Sequence, residues 1–488
     1  MRNVDDLFRR RVRQQPGHLA VVGPGESRMS YSDLDESIAE MAAALESADV
    51  RPGACVGIHV PSGIDTIVTT YAVWRRGACA VPIPTELSDE EKLEICRTIA
   101  IDFLVATSRV SDFVHRRSHG SESELPRNAR VVALEGRRRH PLGFSEINAA
   151  FIRFTSGTTG TSKGIVLSHE SIHERINAAN DALKIGPDDR ILWVLSMSYH
   201  FTVSIVAYLT FGATIVLPRN HLGPELIDSI DRHAATLVYA SPIHYAWMAD
   251  SPTRSALTSL RLAVSTATSL TPEIATQFRR RFGLPIAQAL GIIEVGLPAI
   301  NFEFAADRPE AVGRILPAYR LRLADIGWGP RVGEILLAGK GFLDAYYEPW
   351  RTRDEILIDG WFHTGDIGEF DANGCVAIRG RSKDIINTAG MKFFPREVEQ
   401  ILEAHPSVVE ACVFSRPCAK LGEVASARVV LKTGASLRAD ELLELCRSRL
   451  ADYKVPQEIE FVDHLERTAS GKLLHRSQPE RPTAAVSQ

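Results

Sequence analysis

Residues 154–164, FTSGTTGTSKG, combine small hydroxyl side chains, glycines and one lysine. Glycines let the backbone bend until several N–H groups converge, while hydroxyls and a lysine ammonium add further donors and a positive charge. This set of groups suits a polyphosphate ligand. The residues that would bind it are Thr155, Ser156, Gly157, Thr158, Thr159, Gly160 and Lys163.

The spacing in this loop differs from that of the Walker phosphate loop. Only two residues separate Gly157 from Gly160, whereas the Walker motif has four residues between its first glycine and its Gly-Lys pair. Kinase chemistry of the Walker type is therefore disfavoured. Taken alone, the segment is also compatible with an ordinary surface loop, so the rest of the chain has to decide.

Short apolar runs alternate with segments of helical periodicity along most of the chain. The clearest runs lie at residues 190–198, 213–218, 236–242 and 260–266. Such runs are typical of parallel strands covered by helices, so the sequence predicts an α/β fold. One helix is predicted to open at Ser32 with a hydroxyl cap. The apolar residues of its buried stripe are Leu34, Ile38, Met41 and Leu45.

The character of the sequence changes near residue 380. A strand leads through a charged turn, 381–384, into a helix with Pro395 at its start. We place a domain boundary in this turn, so that residues 1–380 form a large N-terminal domain and residues 385–476 a small α+β domain. The tail, 477–488, is rich in Pro, Ser and Gln and is predicted to be disordered.

Composition excludes several classes of protein. A chain of 488 residues exceeds the usual size of a single hydrophobic core, and 45% hydrophobic with 24% charged residues is globular. The net charge of −4 indicates no nucleic-acid partner, and no apolar run is long enough for a membrane span. Seven cysteines without a C-x-x-C pair suit reduced thiols, and the charged N-terminus lacks a secretory signal. We therefore expect a cytoplasmic protein.

Four further motifs follow the loop in the order GWFHTGD (360–366), GRSKD (380–384), FFPREVE (393–399) and ASGKLLH (469–475). Together with the loop, they make the chain resemble the adenylate-forming superfamily of acyl- and aryl-CoA synthetases, carrier-protein-loading adenylation domains and luciferases. The resemblance covers essentially the whole chain. It implies a large N-terminal domain of sheets flanked by helices, followed by a small, mobile C-terminal α+β domain.

The resemblance also implies a reaction in two steps. A carboxylate attacks the α-phosphate of ATP to give an acyl-adenylate and pyrophosphate, and a thiol then takes the acyl group. Because a carboxylate is a poor nucleophile toward an anionic phosphate, catalysis depends on positioning and on nearby cations. Lys163 and its loop would hold the β- and γ-phosphates, Glu294 in GIIEVG would bind Mg²⁺, and Lys472 would reach the α-phosphate and the substrate carboxylate.

Other positions take their expected roles from the same resemblance. Asp366 would bind both ribose hydroxyls with the help of Arg381, and His200 would lie beside the substrate carboxylate. The small domain would rotate about a hinge at Lys383, within 381–384. Gly390 would border the tunnel for a phosphopantetheine thiol, where a side chain would block access. Coenzyme A and an acyl or peptidyl carrier protein present the same thiol arm, and the sequence does not choose between them.

The chain departs from the family pattern at the nucleotide site. Leu290 and Ile293 stand where the family usually has an aromatic residue and a threonine, and STATSL (265–270) replaces a glycine-rich stretch. These departures keep open a non-catalytic or slow homologue that acts as a binding module, or adenylation without thioester formation. A kinase or other ATPase that releases ADP is a further alternative.

The substrate is expected to be a short or medium acyl acid or an aryl acid. Residues 196–205 contain no Asp to pair an α-ammonium group, which disfavours an α-amino acid. The chain is also near the minimal length for the family. Apolar side chains are expected to form the pocket wall. The candidate wall residues are Tyr199, Val203, Ile292, Ile293, Val295 and Leu297.

Overall fold

The computed structural model describes residues 3–107, 122–134, 139–155, 163–467 and 473. Contacts within the chain divide it into two compact units. The first contains Met1–Leu321, Leu337–Phe362 and Gly374–Val376, and the second contains Arg322–Leu336, His363–Asn373 and Ala377–Gln488. Because the chain passes between the units several times, the single boundary that we place within 381–384 stays a prediction.

The helices of the described residues are named in chain order. They are α1 (Val4–Gln14), α2 (Tyr31–Ser47), α3 (Ile64–Arg75), α4 (Asp89–Thr98), α5 (His169–Leu183), α6 (Met197–His200), α7 (Ile205–Phe211), α8 (Gly223–His233), α9 (Pro242–Asp250), α10 (Pro272–Phe282), α11 (Arg353–Ile356), α12 (Pro395–Glu403) and α13 (Ala439–Arg449). Among the described residues, no helix is both long and apolar enough to cross a membrane.

The strands are named in the same way. They are β1 (Leu19–Val22), β2 (Arg28–Ser30), β3 (Cys55–His59), β4 (Cys79–Pro82), β5 (Phe103–Thr107), β6 (Glu122–Leu125), β7 (Ala129–Ala133), β8 (Ala149–Thr155), β9 (Lys163–Ser168), β10 (Arg190–Trp193), β11 (Thr214–Val216), β12 (Leu237–Ala240), β13 (Leu262–Ser265), β14 (Ile286–Ile292), β15 (Gly296–Ile300), β16 (Arg314–Ile315), β17 (Tyr319–Asp325), β18 (Val332–Gly339), β19 (Ala345–Tyr346), β20 (Arg351–Thr352), β21 (Phe362–Phe370), β22 (Val376–Arg381), β23 (Ile386–Thr388), β24 (Met391–Phe393), β25 (Val408–Cys418), β26 (Gly422–Leu431) and β27 (Glu458–Phe461).

Two nine-stranded sheets build the first unit. The first sheet has the order β16-β15-β14-β13-β12-β10-β11-β1-β2, and its strands from β14 through β1 pair in parallel. The second has the order β20-β19-β9-β8-β4-β3-β5-β7-β6, with parallel pairing from β8 through β5. The predicted α/β class is confirmed, because the four apolar runs contain the buried parallel strands β10 to β13.

The helix predicted to open at Ser32 begins one residue earlier, at Tyr31. Ser30 is its N-cap, and the Ser30 hydroxyl accepts from the Asp33 backbone N–H while the Asp33 carboxylate accepts from the Ser30 N–H. This reciprocal capping box satisfies two backbone donors, which explains why Ser30 takes the cap position instead of Ser32. The predicted apolar stripe is buried as expected.

The second unit contains a smaller, mainly antiparallel sheet. Its strand order is β24-β23-β26-β25, with β27 pairing in parallel with β26. The apolar side chains of α12 and α13 belong to one core with this sheet, including Val398, Leu402, Leu442 and Cys446. The unit therefore has a core of its own and the α+β character predicted for residues 385–476.

Candidate active site

The loop predicted to bind phosphates connects β8 to β9. The two strands pair antiparallel, and Thr155 at the end of β8 is the Cα partner of Lys163 at the start of β9. Ser156, Gly157, Thr158, Thr159 and Gly160 lie outside the described residues. The hairpin thus fixes both ends of the loop and places Lys163 on the first position of a strand.

Lys163 and Glu294 meet through Tyr346, a tyrosine within the GFLDAYYEP segment. Lys163 Nζ lies 4.5 Å from the centre of the Tyr346 ring. The Tyr346 hydroxyl donates to Glu294 Oε1 at 3.2 Å. Tyr346 is brought to this place because β19 pairs with β9, with Tyr346 opposite Ile165. The structure therefore joins two predicted site residues through a third that the sequence did not single out.

Burial raises the pKa of the Tyr346 hydroxyl, and the neighbouring charge and hydrogen bond of Glu294 raise it further. The hydroxyl consequently stays protonated at neutral pH and acts as a hydrogen-bond donor. It occupies one oxygen of the Glu294 carboxylate and limits the rotation of that side chain. A lysine ammonium over the ring face adds a cation–π interaction on the other side.

The donor set around Glu294 is compatible with Mg²⁺. Among the described residues, no group of three or more His, Cys, Asp or Glu side chains could hold a metal ion. The predicted role of Glu294 needs no such group, because Mg²⁺ commonly binds one or two protein carboxylates and completes its octahedral shell with phosphate oxygens and water.

Arg153 is a second residue that the sequence analysis missed. It lies in β8, donates from Nη1 to the Tyr199 carbonyl oxygen, and its guanidinium is 5.1 Å from the Tyr199 ring centre. Burial lowers its pKa to about 10, so it stays charged at neutral pH. The sequence does contain an indication of this residue, because Arg153 is the one charged residue in the otherwise mostly apolar strand AAFIRFT.

A cavity lies beside Arg153. Its lining is mostly apolar, with Glu91 and Glu94 as acidic members. The other lining residues are Pro82, Pro84, Leu87, Ile95, Arg153, Phe154, Ser198 and Tyr199. Phe154 directly precedes Thr155, the first residue predicted to bind phosphates, and Tyr199 directly precedes His200, so the cavity adjoins both predicted segments of the site.

The predicted wall residues fall into three groups. Tyr199 lines the cavity. Val203, Ile292 and Ile293 are half-buried and do not line it. Val295 and Leu297, in contrast, are fully buried at 0% and 2% exposure. Their assignment to a substrate pocket stays a prediction.

His200 ends the short helix α6 and is half-buried. Its ring packs edge-to-face against Trp193, with ring centres 6.2 Å apart.

The STATSL segment (265–270), which replaces a glycine-rich stretch, has an unusual backbone, because Ala267 has a φ of +75°. That left-handed conformation favours glycine, so alanine is strained here.

In the second unit, Asp366 and Arg381 form an ion pair with 2.6 Å between Oδ1 and Nε. They lie on β21 and β22, which are neighbours in a four-stranded sheet of order β17-β18-β21-β22. The Asp366 backbone N–H donates to the Thr364 hydroxyl at 3.0 Å, and Asp366 is buried at 7% exposure. The carboxylate predicted to bind ribose is thus held by the arginine predicted to assist it.

The remaining predicted residues are placed as follows. Lys383 lies in a 3₁₀ turn, Ser382–Asp384. Gly390 has a φ of +88°, between β23 and β24, and a Cβ added there would meet no atom within 4 Å. Lys472 lies outside the described residues.

Comparison with known proteins gives this geometry its context. Residues 8–347 match the profile of the AMP-binding enzyme family, and residues 397–472 match that of the AMP-binding enzyme C-terminal domain. The chain belongs to the AMP-binding enzyme family. The resemblance inferred from the motifs is therefore confirmed, and so is the assignment of the chain to AMP-forming ligases.

Curated relatives of the family are similar over nearly their whole length. A feruloyl-CoA synthase from Amycolatopsis sp is 29% identical over 479 residues, covering 95% of this chain and 96% of the relative. An indoleacetate–CoA ligase from Aromatoleum aromaticum is 30% identical over 493 residues, covering 94% of both chains. A 3-[(3aS,4S,7aS)-7a-methyl-1,5-dioxo-octahydro-1H-inden-4-yl]propanoyl:CoA ligase from Mycobacterium tuberculosis is 30% identical, with 97% of each chain covered.

Solved structures agree with the fold. ATP-bound MatB from Rhodopseudomonas palustris superposes with a TM-score of 0.83 at 26% identity, covering 97% of each chain. The amide bond synthetase McbA from Marinactinospora thermotolerans gives a TM-score of 0.82 at 28% identity, covering 96% of this chain and 98% of the other.

Proposed function

We propose that the chain is an ATP-dependent carboxylic acid–CoA ligase that forms an acyl-adenylate and then a thioester. The contact of Lys163 with Tyr346, and of Tyr346 with Glu294, is the observation that carries the proposal. A cation and a carboxylate beside the loop predicted to bind phosphates form a combination that suits phosphoryl chemistry on a nucleotide. The three relatives described above, named as CoA ligases or a CoA synthase, support the same reaction.

Each charged residue takes a separate role in this proposal. Lys163 neutralises the β- and γ-phosphates, and Glu294 would hold Mg²⁺ through its carboxylate. Mg²⁺, when bound, offsets phosphate charge. Asp366 binds the ribose, and the Arg381 guanidinium fixes its carboxylate. Lys472 stabilises the charge that develops as the substrate carboxylate attacks the α-phosphate.

The proposed acid is an aryl acid or a short or medium acyl acid. Relatives named for ferulate, for indoleacetate and for an indene propanoate support an acid with a ring system. Coenzyme A is the favoured acceptor because the relatives carry it in their names, and a carrier protein with the same thiol arm is the alternative. Use of ATP and coenzyme A, together with seven cysteines that suit reduced thiols, supports a cytoplasmic location.

A screen of carboxylic acids tests the proposal. The purified chain is incubated with ATP, Mg²⁺ and each acid, with coenzyme A, with a carrier protein or with neither acceptor. AMP, pyrophosphate and an acyl-CoA are the expected products. ADP and phosphate as products would contradict the proposal, as would the absence of any acid-dependent turnover of ATP. An acyl-adenylate that accumulates with both acceptors would restrict the activity to adenylation.

A further inference from the structure

Arg175 is a fully buried arginine whose donors are directed at backbone carbonyl groups. It lies in α5, the helix that follows β9, and is 1% exposed. Nη1 donates to the Ile293 carbonyl oxygen at 2.8 Å, Nη2 to the Glu294 carbonyl oxygen at 2.9 Å, and Nε to the Gly341 carbonyl oxygen. One side chain thereby connects α5 to the loop between β14 and β15, which contains Glu294, and to the loop between β18 and β19, which contains Gly341.

Two glycines make room for this arginine. A Cβ at Gly341 would lie 2.8 Å from Arg175 Cγ, and a Cβ at Gly296 would lie 3.2 Å from the same atom. Both glycines also have positive φ, +73° and +114°. The backbone around Arg175 is therefore shaped to approach it closely, and any larger residue at these positions would push the guanidinium away.

Neighbouring contacts strengthen the same junction. The Glu174 carboxylate accepts from the Gly341 N–H at 2.7 Å. The Glu294 carbonyl oxygen, already bound to Arg175, also accepts from the Leu343 N–H at 2.7 Å. The loop that carries Glu294 and the loop that leads to Tyr346 are consequently fixed to each other and to α5.

Burial of the guanidinium requires an explanation. Desolvation lowers the pKa of Arg175 to about 10, and electrostatic interactions with the Tyr319 hydroxyl and with the Asp344 and Glu294 carboxylates oppose that effect. The side chain remains protonated at neutral pH. A buried charge is expensive unless hydrogen bonds compensate for it, and three carbonyl acceptors around a planar fork provide that compensation.

We infer that Arg175 is a positioning residue that sets the orientation of the Glu294 and Tyr346 side chains relative to Lys163. The inference rests on the proposed role of Glu294. Lysine keeps the charge but presents its donors from a single nitrogen, so it does not reproduce three hydrogen bonds in fixed directions. A displacement of about 1 Å at a site of this kind reduces turnover by up to about 100-fold.

The test compares Arg175→Lys, Arg175→Gln, Glu294→Gln and the double variant Arg175→Lys/Glu294→Gln. The matched control is Arg261→Lys, because Arg261 also joins α5 to a neighbouring segment, through Asp189 and the Leu183 carbonyl oxygen, and does not contact Glu294. The measurements are kcat and KM of acid-dependent pyrophosphate exchange, thermal unfolding, and calorimetric binding of ATP with Mg²⁺.

We expect Arg175→Lys to fold, to lose about 10- to 100-fold in kcat, and to bind ATP with Mg²⁺ more weakly. The double variant should lose no more than Glu294→Gln alone, because the two residues act as one unit. Arg261→Lys should keep its kcat. Losses that multiply in the double variant would overturn the inference, as would wild-type kcat in Arg175→Lys or failure of both Arg175 variants to fold. Normal activity of Glu294→Gln would instead refute the role of Glu294, and the inference with it.

Discussion

Replacing Tyr346 by Phe isolates one hydrogen bond of the candidate active site. The ring stays under Lys163, so the cation–π interaction is kept, while the donor to Glu294 Oε1 is removed. Because its pKa is raised by burial and by Glu294, the hydroxyl is a donor throughout the neutral pH range. The variant therefore tests whether the orientation of Glu294 depends on Tyr346.

The expected magnitude follows from the charge on the acceptor. A hydrogen bond to a charged group contributes about 1.5–3 kcal/mol. Since about 1.4 kcal/mol corresponds to a factor of ten in rate, loss of the bond reduces kcat/KM for adenylation by about 10- to 150-fold. Tyr346→Leu also removes the interaction with Lys163, which is worth about 0.5–2 kcal/mol more.

Acid-dependent pyrophosphate exchange measures the effect, and the adjacent tyrosine supplies the control. The Tyr347 hydroxyl is 2.9 Å from His140 Nδ1 and accepts from the Ala100 N–H at 3.1 Å, and it does not contact Glu294. Tyr347→Phe leaves a buried N–H without its acceptor and should lower the free energy of unfolding by about 1–3 kcal/mol. Its kcat/KM should stay near that of the wild type.

Two results would refute this reasoning. Wild-type kcat/KM in Tyr346→Phe would show that Glu294 is oriented without the hydroxyl. Equal losses in Tyr346→Phe and Tyr347→Phe would show that both changes act through general destabilisation. A larger loss in Tyr346→Leu than in Tyr346→Phe would support a separate contribution from the contact with Lys163.

Three other perturbations have defined outcomes. Ala267→Gly should raise the free energy of unfolding by about 1 kcal/mol, because φ is +75° there, and chemical denaturation measures this. Burial lowers the pKa of His169, whose Nδ1 accepts from the Val4 N–H, to about 4. Stability should therefore be full above about pH 6.5 and fall by up to about 3 kcal/mol toward pH 4, a dependence that denaturation of His169→Asn should lack. Lys383→Pro should depress thioester formation in single-turnover assays while adenylation stays near normal, because proline fixes φ at the proposed hinge; equal loss of both steps would contradict the hinge.

Local patterns in the sequence were sufficient to predict several strands, the helix α2 and the fold class. The four apolar runs became buried parallel strands, and the stripe from Leu34 to Leu45 became the buried face of α2. Such predictions succeed because burial imposes a period on each segment separately. The cap of α2 was misplaced, since two nearby serines offer the same hydroxyl and only the capping box with Asp33 distinguishes them.

The sequence by itself determined the family of this protein and the residue types proposed for its chemistry: Lys163 in the loop predicted to bind phosphates, an acidic residue at 294 and the Asp366–Arg381 pair. Only the tertiary structure decided how these residues are held. Tyr346 reaches Glu294 across 52 residues, and Arg175 reaches the carbonyl oxygens of Glu294 and Gly341 across 119 and 166 residues. Contacts at such separations depend on strand order and on which loops meet, and a local pattern contains no record of either.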